Sequence, residues 1–170
     1  MRRETKLFLG RFTRKLDARY RIAVPPAYHA ELIGGGYMTQ GFDQNLQVFT
    51  GNAFQQLYRQ AKSLNPADPK ARLLLRLFLG NVVELPAAEV NVEIPESLRE
   101  YALLKETVVL VGQGDYFEIW APELWTQQEA ELRNSEANAS RFATLALGGR
   151  EVPGSQVRQT TAKMPFDPLH

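Results

Sequence analysis

Apolar residues fall at two different periods along this chain. Ile22 and Val24 alternate with Arg21 and Ala23 ahead of Pro25, the period of two that marks a half-buried strand. Pro25-Pro26 then opens a short helix over 25–32, since proline is tolerated in a first helical turn, and Gly34-Gly35-Gly36 stops it. Residues 37–40 and 46–49 flank the loop Gly41-Phe42-Asp43-Gln44-Asn45, which predicts a hairpin. Residues 107–111 and 116–120 flank Gly112-Gln113-Gly114-Asp115 in the same way, and the run Val108-Val109-Leu110-Val111 predicts a buried strand. Between these segments the period lengthens to that of a helix. Phe54, Leu57, Tyr58 and Ala61 make one apolar face. Asp68 before Pro69 is a helix start, with Leu73, Leu74, Leu77 and Phe78 as its stripe and Arg72 and Arg76 on another face. A last helix is expected from Pro122 to about Arg133, and after about Leu147 the pattern fades into what reads as a flexible tail.

Laid against itself, the chain repeats. Residues 21–28 align with 91–98 at an offset of 70, which sets Ile22-Ala23-Val24-Pro25 over Val92-Glu93-Ile94-Pro95. Leu9-Gly10 meets Leu79-Gly80 at that offset. Gly41 then meets Gly112, Val48-Phe49 meets Ile119-Trp120, and Phe54 meets Trp125 at an offset of 71, one residue having been gained between the two sets. Self-similarity at a fixed period marks a repeated supersecondary unit. Each unit reads as strand, hairpin turn, strand, short helix, strand, turn, strand, helix. The expected organisation is an α+β chain with a first unit over 7–52, connecting helices over 53–79, a second unit over 80–123, a C-terminal helical segment over 124–147 and a tail over 148–170.

The 170 residues, 44% hydrophobic and 23% charged, can bury a core without staples. There is no cysteine, which removes disulfides and thiolate metal sites and fits a reducing compartment. The opening residues have no apolar signal region, and no 18-residue apolar stretch exists, so the expected location is the cytoplasm. Net charge is only +1, but its distribution is uneven. Residues 1–30 carry eight cations against Glu4 and Asp17, a balance of +6. Residues 81–100 carry Arg99 against Glu84, Glu89, Glu93, Glu96 and Glu100, a balance of −4. That asymmetry points to a polyanionic partner for the basic part.

The chemistry concentrates in Arg14-Lys15-Leu16-Asp17-Ala18-Arg19-Tyr20-Arg21, placed at the expected tip of the first hairpin. Closely spaced cations on a loop reach phosphates or a groove, and arginine reads guanine with two hydrogen bonds. Asp17 is short enough to accept hydrogen bonds from its own turn or to orient an arginine. On charge alone, the same residues fit a solvated turn equally well.

The order and spacing of these segments resemble the MraZ family, whose units belong to the swapped-hairpin barrel group that includes AbrB and SpoVT. The pattern of that family is Asp-x-Lys-Gly-Arg followed by a strand and a proline. Here it reads Asp17-Ala18-Arg19-Tyr20-Arg21 followed by Ile22-Ala23-Val24-Pro25. The resemblance extends through Phe8-Leu9-Gly10, the segment from Leu73 to Gly80, Ile94-Pro95 with Leu98-Arg99, and Val109-Leu110-Val111-Gly112 to Glu118-Ile119-Trp120, about residues 7–130. It implies a pseudo-twofold swapped-hairpin β-barrel with short flanking helices. It also implies a cytoplasmic, nucleoid-associated transcriptional regulator that binds direct repeats in double-stranded DNA upstream of division and wall genes. A homo-oligomer, ring-like in the family, is part of the same expectation. The DNA-binding residues carried over are Asp17, Arg19 and Arg21, with Arg14 and Lys15 beside them.

Two departures matter. Tyr20 stands where the pattern has glycine, and a tyrosine is strained if that position needs a positive φ. An aromatic ring there could also stack on a sugar or base. In the second unit the pattern falls on Ala87-Ala88-Glu89-Val90-Asn91, which lacks the acid and both cations. DNA contact is therefore expected on the first loop alone, with Arg21 reading a base and Lys15 and Arg19 holding phosphates.

Enzyme readings find little support. The two histidines, His29 and His170, offer no metal set or triad, and no cofactor or metal is expected. Gly34-Gly35-Gly36 lacks the lysine and hydroxyl of a phosphate loop, and Gly112-Gln113-Gly114 lacks a dinucleotide-binding context. Glu129 and Glu131 read as a wet helix face, and Trp120 and Trp125 as core or interface. The competing reading is a protein-interaction module of the same fold, antitoxin-like, with the acidic second unit facing a basic partner.

Overall fold

A computed structural model describes residues 7–145. Its first unit, which ends at Thr126, carries eight strands. The first repeat contributes β1 (Arg11–Lys15), β2 (Arg21–Ala23), helix α1 (Pro26–Leu32), β3 (Gly36–Gln40) and β4 (Leu46–Thr50). Helices α2 (Gly51–Lys62) and α3 (Pro69–Leu79) follow. The second repeat contributes β5 (Val83–Leu85), β6 (Asn91–Glu93), helix α4 (Glu96–Tyr101), β7 (Thr107–Gly112) and β8 (Tyr116–Trp120), and α5 (Pro122–Arg133) comes next.

The strands form an antiparallel sheet in the order β1-β7-β8-β4-β3-β5 and a separate ribbon, β2-β6. Exchanging β1 to β4 for β5 to β8 maps every pairing onto another, so the duplication in the sequence is a duplication in the fold. The pseudo-twofold runs through two ladder positions. Ile22 faces Val92, its own counterpart at an offset of 70, and Gln47 faces Glu118, its counterpart at 71. Two backbone bonds repeat the relation: Val24 N–H to Val90 O at 2.9 Å and Ile94 N–H to Tyr20 O at 3.0 Å.

One expectation changes here. The first turn reverses the chain, but β1 and β2 do not form the ladder of a hairpin. β1 pairs with β7 of the other repeat, and β2 pairs with β6 of the other repeat. The second repeat does the same, with β5 on β3. Each first turn is thus a bridge between the sheet and the ribbon. Strands β1 and β5 are the two edges of the sheet, so hydrogen bonding among the described residues draws an open sheet with a ribbon.

The core lies among the inner sheet face, the ribbon and helices α1 and α4. Ile22, Tyr28, Met38, Leu46, Val48, Leu98, Val108, Leu110, Phe117 and Ile119 are fully buried in it. Phe8 joins them through a bridge to Gly114 and edge-on contacts with Tyr28 and Phe117. The end of α1 shows why a glycine run stands there. Gly35 has φ +81°, and a Cβ on it would lie 2.6 Å from the Leu85 carbonyl oxygen.

Helices α2 and α3 cover the outer sheet face, where Phe49, Phe54 and Phe78 form a second cluster. Thr50 caps α2 through Ala53 N–H (3.1 Å), and Asp68 caps α3 through Lys70 N–H (2.8 Å), as the sequence predicts for α3. Of the expected apolar stripes, Phe54, Leu57 and Phe78 pack in this cluster. Tyr58 and Leu73 are exposed, while Ala53 and Ala71 turn inward. A cavity of about 380 Å³ remains between the sheet and the two helices, lined by Phe49, Leu57, Leu74, Phe78 and Tyr116.

The unit beginning at Gln127 contains the rest of α5 and a helix the sequence pattern did not separate, α6 (Ser135–Phe142), capped by Asn134 through Ala137 N–H. Glu129 and Glu131, expected as a wet face, pair with Arg133 (3.2 Å) and with Arg141. The tail expected over 148–170 lies outside the described residues.

Candidate nucleic-acid interface

The first turn is organised by one carboxylate. Asp17 Oδ1 accepts the backbone N–H of Arg19 at 2.8 Å and of Arg21 at 2.9 Å, while Oδ2 accepts Arg21 Nε at 2.9 Å. Backbone bonds close the same turn, from Asp17 N–H to Arg21 O (3.0 Å) and from Tyr20 N–H to Asp17 O (2.9 Å). The Arg21 amide has the largest effect on the Asp17 carboxyl; desolvation opposes it, and the Arg19 amide and the Arg21 guanidinium add to it, so the group is held below its ordinary range. An aspartate reaches these donors because its chain is short.

The consequence falls on Arg21. Its Nε is held by Asp17, which leaves both terminal nitrogens as a fork of fixed orientation. That fork matches the O6/N7 edge of guanine or two oxygens of a phosphate. Arg21 stands on the outward face of the ribbon, because its neighbour Ile22 points into the core. Glu93 is directly across the ladder from it.

The other predicted cations divide. Lys15 and Arg19 are exposed, and their side chains make no hydrogen bond or ion pair with the described residues. Arg14 is different. Its Nε donates to Ala23 O at 3.3 Å and its Nη1 to Thr13 O at 3.0 Å, so it braces β1 against β2. Its guanidinium also lies over the Phe12 ring at 5.5 Å. Arg14 is thereby mainly a brace, while Arg19, Arg21 and Lys15 share the exposed turn.

Position 20 has the left-handed conformation that the glycine comparison anticipates. Tyr20 has φ +58°, a region that costs any residue with a Cβ free energy. Its ring is not aimed solely at solvent. The guanidinium of Arg99, from α4 of the other repeat, lies 3.3 Å from the ring centroid. Arg99 is the residue that sequence reasoning passed over, because it is a lone cation in an acidic stretch, far from the motif in the chain.

The corresponding turn of the second repeat is built differently. Its positive φ falls on Ala88 (+61°) rather than on Val90, the counterpart of Tyr20. Ala88 N–H bonds Ile33 O at 2.8 Å. A cleft of about 370 Å³ beside it is lined by Glu84, Glu89, Glu93 and Asn91. At an offset of 70, Glu84 stands for Arg14, Glu89 for Arg19 and Asn91 for Arg21. The two turns cap opposite ends of one ribbon, four residues apart, or about 13 Å at the usual rise of a strand.

The remaining chemistry is structural. His29 Nε2 lies 2.7 Å from Val24 O. Trp120 is buried and meets Trp125 edge-on at 5.6 Å. No group of histidines and acids able to hold a metal occurs among the described residues, and no helix among them is long and apolar enough to cross a membrane.

Comparison with known proteins places the sequence in a family. The family described as "MraZ protein, putative antitoxin-like" matches residues 7–77 and 92–146. A protein of Thermomicrobium roseum named transcriptional regulator MraZ is 37% identical over 143 residues, covering 82% of this chain and 99% of that protein. The protein of the same name from Leifsonia xyli is 36% identical over 76% of this chain and 94% of its own length. That from Mycobacterium tuberculosis is 34% identical over 84% of this chain and 98% of its own length. The family match leaves a gap at 78–91, which spans the charge-inverted second turn, and resumes at Val92 on the pseudo-twofold. On this similarity and its extent, the chain belongs to the MraZ family.

Proposed function

We propose that this protein is a sequence-specific DNA-binding transcriptional regulator that contacts DNA through its first turn. The observation that carries the reading is the Asp17-fixed fork of Arg21, flanked by the exposed Lys15 and Arg19. Base readout falls to Arg21, because its orientation is fixed before DNA arrives. Lys15 and Arg19 are free to follow phosphates. The exchanged pairing of β1 with β7 and β5 with β3 supports a swapped-hairpin arrangement of the AbrB and SpoVT kind.

One cationic turn per chain is a small footprint. A homo-oligomer, ring-shaped or otherwise, would multiply it and match a direct-repeat operator by avidity. The names of the relatives favour a regulator of transcription, here assigned to the cytoplasm and nucleoid and to a cell-division and wall gene cluster.

The test is binding of purified protein to duplex DNA from upstream of its own gene and to random duplex, across a salt titration. Affinity is expected to fall steeply with salt, and Arg21→Ala is expected to remove the preference for the upstream DNA. A second reading, a protein-interaction module, draws on the cleft lined by Glu84, Glu89 and Glu93, which suits a basic partner. Salt-insensitive behaviour on both DNAs and on heparin would favour that module and refute the DNA reading.

A further inference from the structure

Among the described residues one arginine has an unmet need. Arg99 Nε is buried and has no hydrogen-bond partner, and the side chain forms no ion pair or hydrogen bond with them. This holds although Glu96 and Glu100 share its helix and Glu93 stands three residues before that helix. A guanidinium stays charged at any physiological pH and carries five donors in one plane. Its face is already used: the Tyr20 ring lies 3.3 Å away. Stacking consumes the face of the guanidinium and burial closes off Nε, which leaves the terminal Nη1 and Nη2 edge, the part that can grip an oxyanion.

The position of this group is fixed from both sides. Ile94 N–H bonds Tyr20 O at 3.0 Å, which ties the first turn to the strand leading into α4. Arg99 and Arg21 therefore flank the same residue, one from each repeat. The pseudo-equivalent place offers a contrast. There His29 stands for Arg99 and its Nε2 is satisfied by Val24 O at 2.7 Å, while Val90 stands for Tyr20 and has no aromatic face. The unsatisfied cation and its platform occur only at the end of the ribbon that carries the cationic turn.

We infer that Arg99 is a phosphate-binding residue of the DNA interface, held flat on Tyr20 and supplied to the first turn by the second repeat; this rests on the DNA reading given above. The residue that replaces the family's glycine is then the platform that holds Arg99 in place. The second repeat, whose own turn is acidic, contributes to binding through its helix instead.

The test compares the parent, Arg99→Gln, Tyr20→Gly and Arg21→Ala on upstream duplex by fluorescence anisotropy over a salt series. Arg99→Gln is expected to bind several-fold more weakly, with the slope of log affinity against log salt reduced by about 0.9, the value for one phosphate contact. Tyr20→Gly, which removes the platform and keeps the charge, is expected to weaken binding with the slope retained. Arg99→Gln with the parent slope would overturn the inference, even if its affinity falls, because that pattern is positioning alone. Modification of the parent protein by phenylglyoxal, read by mass spectrometry, covers the case in which Arg99→Gln does not fold. Arg99 should be protected by bound DNA, and equal modification with and without DNA would overturn the inference. A parent that fails to bind, or Arg21→Ala that binds like the parent, would instead remove the DNA reading beneath it.

Discussion

Replacing Tyr20 should reverse the usual ranking of alanine and glycine. Tyr20 has φ +58° and is 49% exposed, with its other face against Arg99. Half-burial of a tyrosine side chain hides about 100 Å² and contributes roughly 2.5 kcal/mol at 25 cal/mol per Å², an upper bound. Its stack on Arg99 adds about 0.5–1 kcal/mol for a partly exposed site. Against these, the left-handed conformation costs about 1–2 kcal/mol for any residue with a Cβ. Tyr20→Ala loses the ring and keeps the strain, so it should destabilise by about 2–3 kcal/mol. Tyr20→Gly also loses the ring but sheds the strain, at a cost of about 0.4–1 kcal/mol in unfolded-chain entropy. Glycine should therefore be more stable than alanine by roughly 0.5–1 kcal/mol and less stable than tyrosine. Urea unfolding at one fixed protein concentration measures this, since subunit association would make the midpoint concentration-dependent. An alanine variant as stable as the glycine variant would show that position 20 stores no strain. An alanine variant above the parent would show that the ring and its stack contribute nothing.

Other outcomes follow from the same geometry. Arg21→Ala should weaken specific binding by about 1–3 kcal/mol and flatten sequence preference, while Lys15→Ala should weaken all duplexes alike and lower the salt slope by about one, both read from anisotropy titrations. Ile22→Ala should cost about 2–5 kcal/mol in urea unfolding, because Ile22 is fully buried against Val92 on the pseudo-twofold; a loss below that of an exposed site would contradict the ribbon packing. Burial, with a further push from Asp43, raises the Glu118 carboxyl above its usual range. The folded state then binds this proton more tightly than the unfolded state, so stability should fall as pH rises from the ordinary glutamate range through the raised value. In Glu118→Gln that part of the pH slope should vanish from unfolding curves taken between pH 4 and 8, and an unchanged slope would refute the assignment.

Much of the fold was legible because its signals are local. The two glycine-rich hairpins, the Asp68-Pro69 helix start and the duplication all lie in short stretches of sequence and recur where the structure has them. Strand partners were not legible. Alternation tells which side of Ile22 or Val24 faces the core, but no periodicity tells β1 to pair with β7 instead of with β2. The same limit applied to the site. Asp17, Arg19 and Arg21 lie within five residues, so their turn could be read directly. Arg14 pointed to DNA by charge, and charge alone does not show that its Nε and Nη1 also donate to the Ala23 and Thr13 carbonyls. Arg99 lies about eighty residues from Tyr20 in the chain, and only the exchange of strands between repeats brings the two into contact.

The spacing of the two turns also bears on how an acidic repeat can sit beside the one proposed to bind DNA. Glu89 stands where the first turn has Arg19, beyond the other end of a shared ribbon about 13 Å long. At physiological ionic strength the screening length is about 8 Å, so the field of Glu89 is largely spent before it reaches a phosphate held at the first turn. At roughly 0.01 M salt the screening length is about 30 Å, and the same carboxylate then opposes binding. Glu89→Gln should accordingly leave affinity near that of the parent at 0.15 M salt and tighten it at low salt, which steepens the salt dependence. Glu93 makes the sharper comparison. It lies directly across the ladder from Arg21, inside one screening length, and Asp17 already occupies the Arg21 Nε. Glu93→Gln should therefore tighten binding at both salt concentrations. If Glu89→Gln tightened binding at 0.15 M as strongly as Glu93→Gln, DNA would have to approach the second turn closely. The acidic repeat would then be part of the contact surface, against the assignment of binding to the first turn.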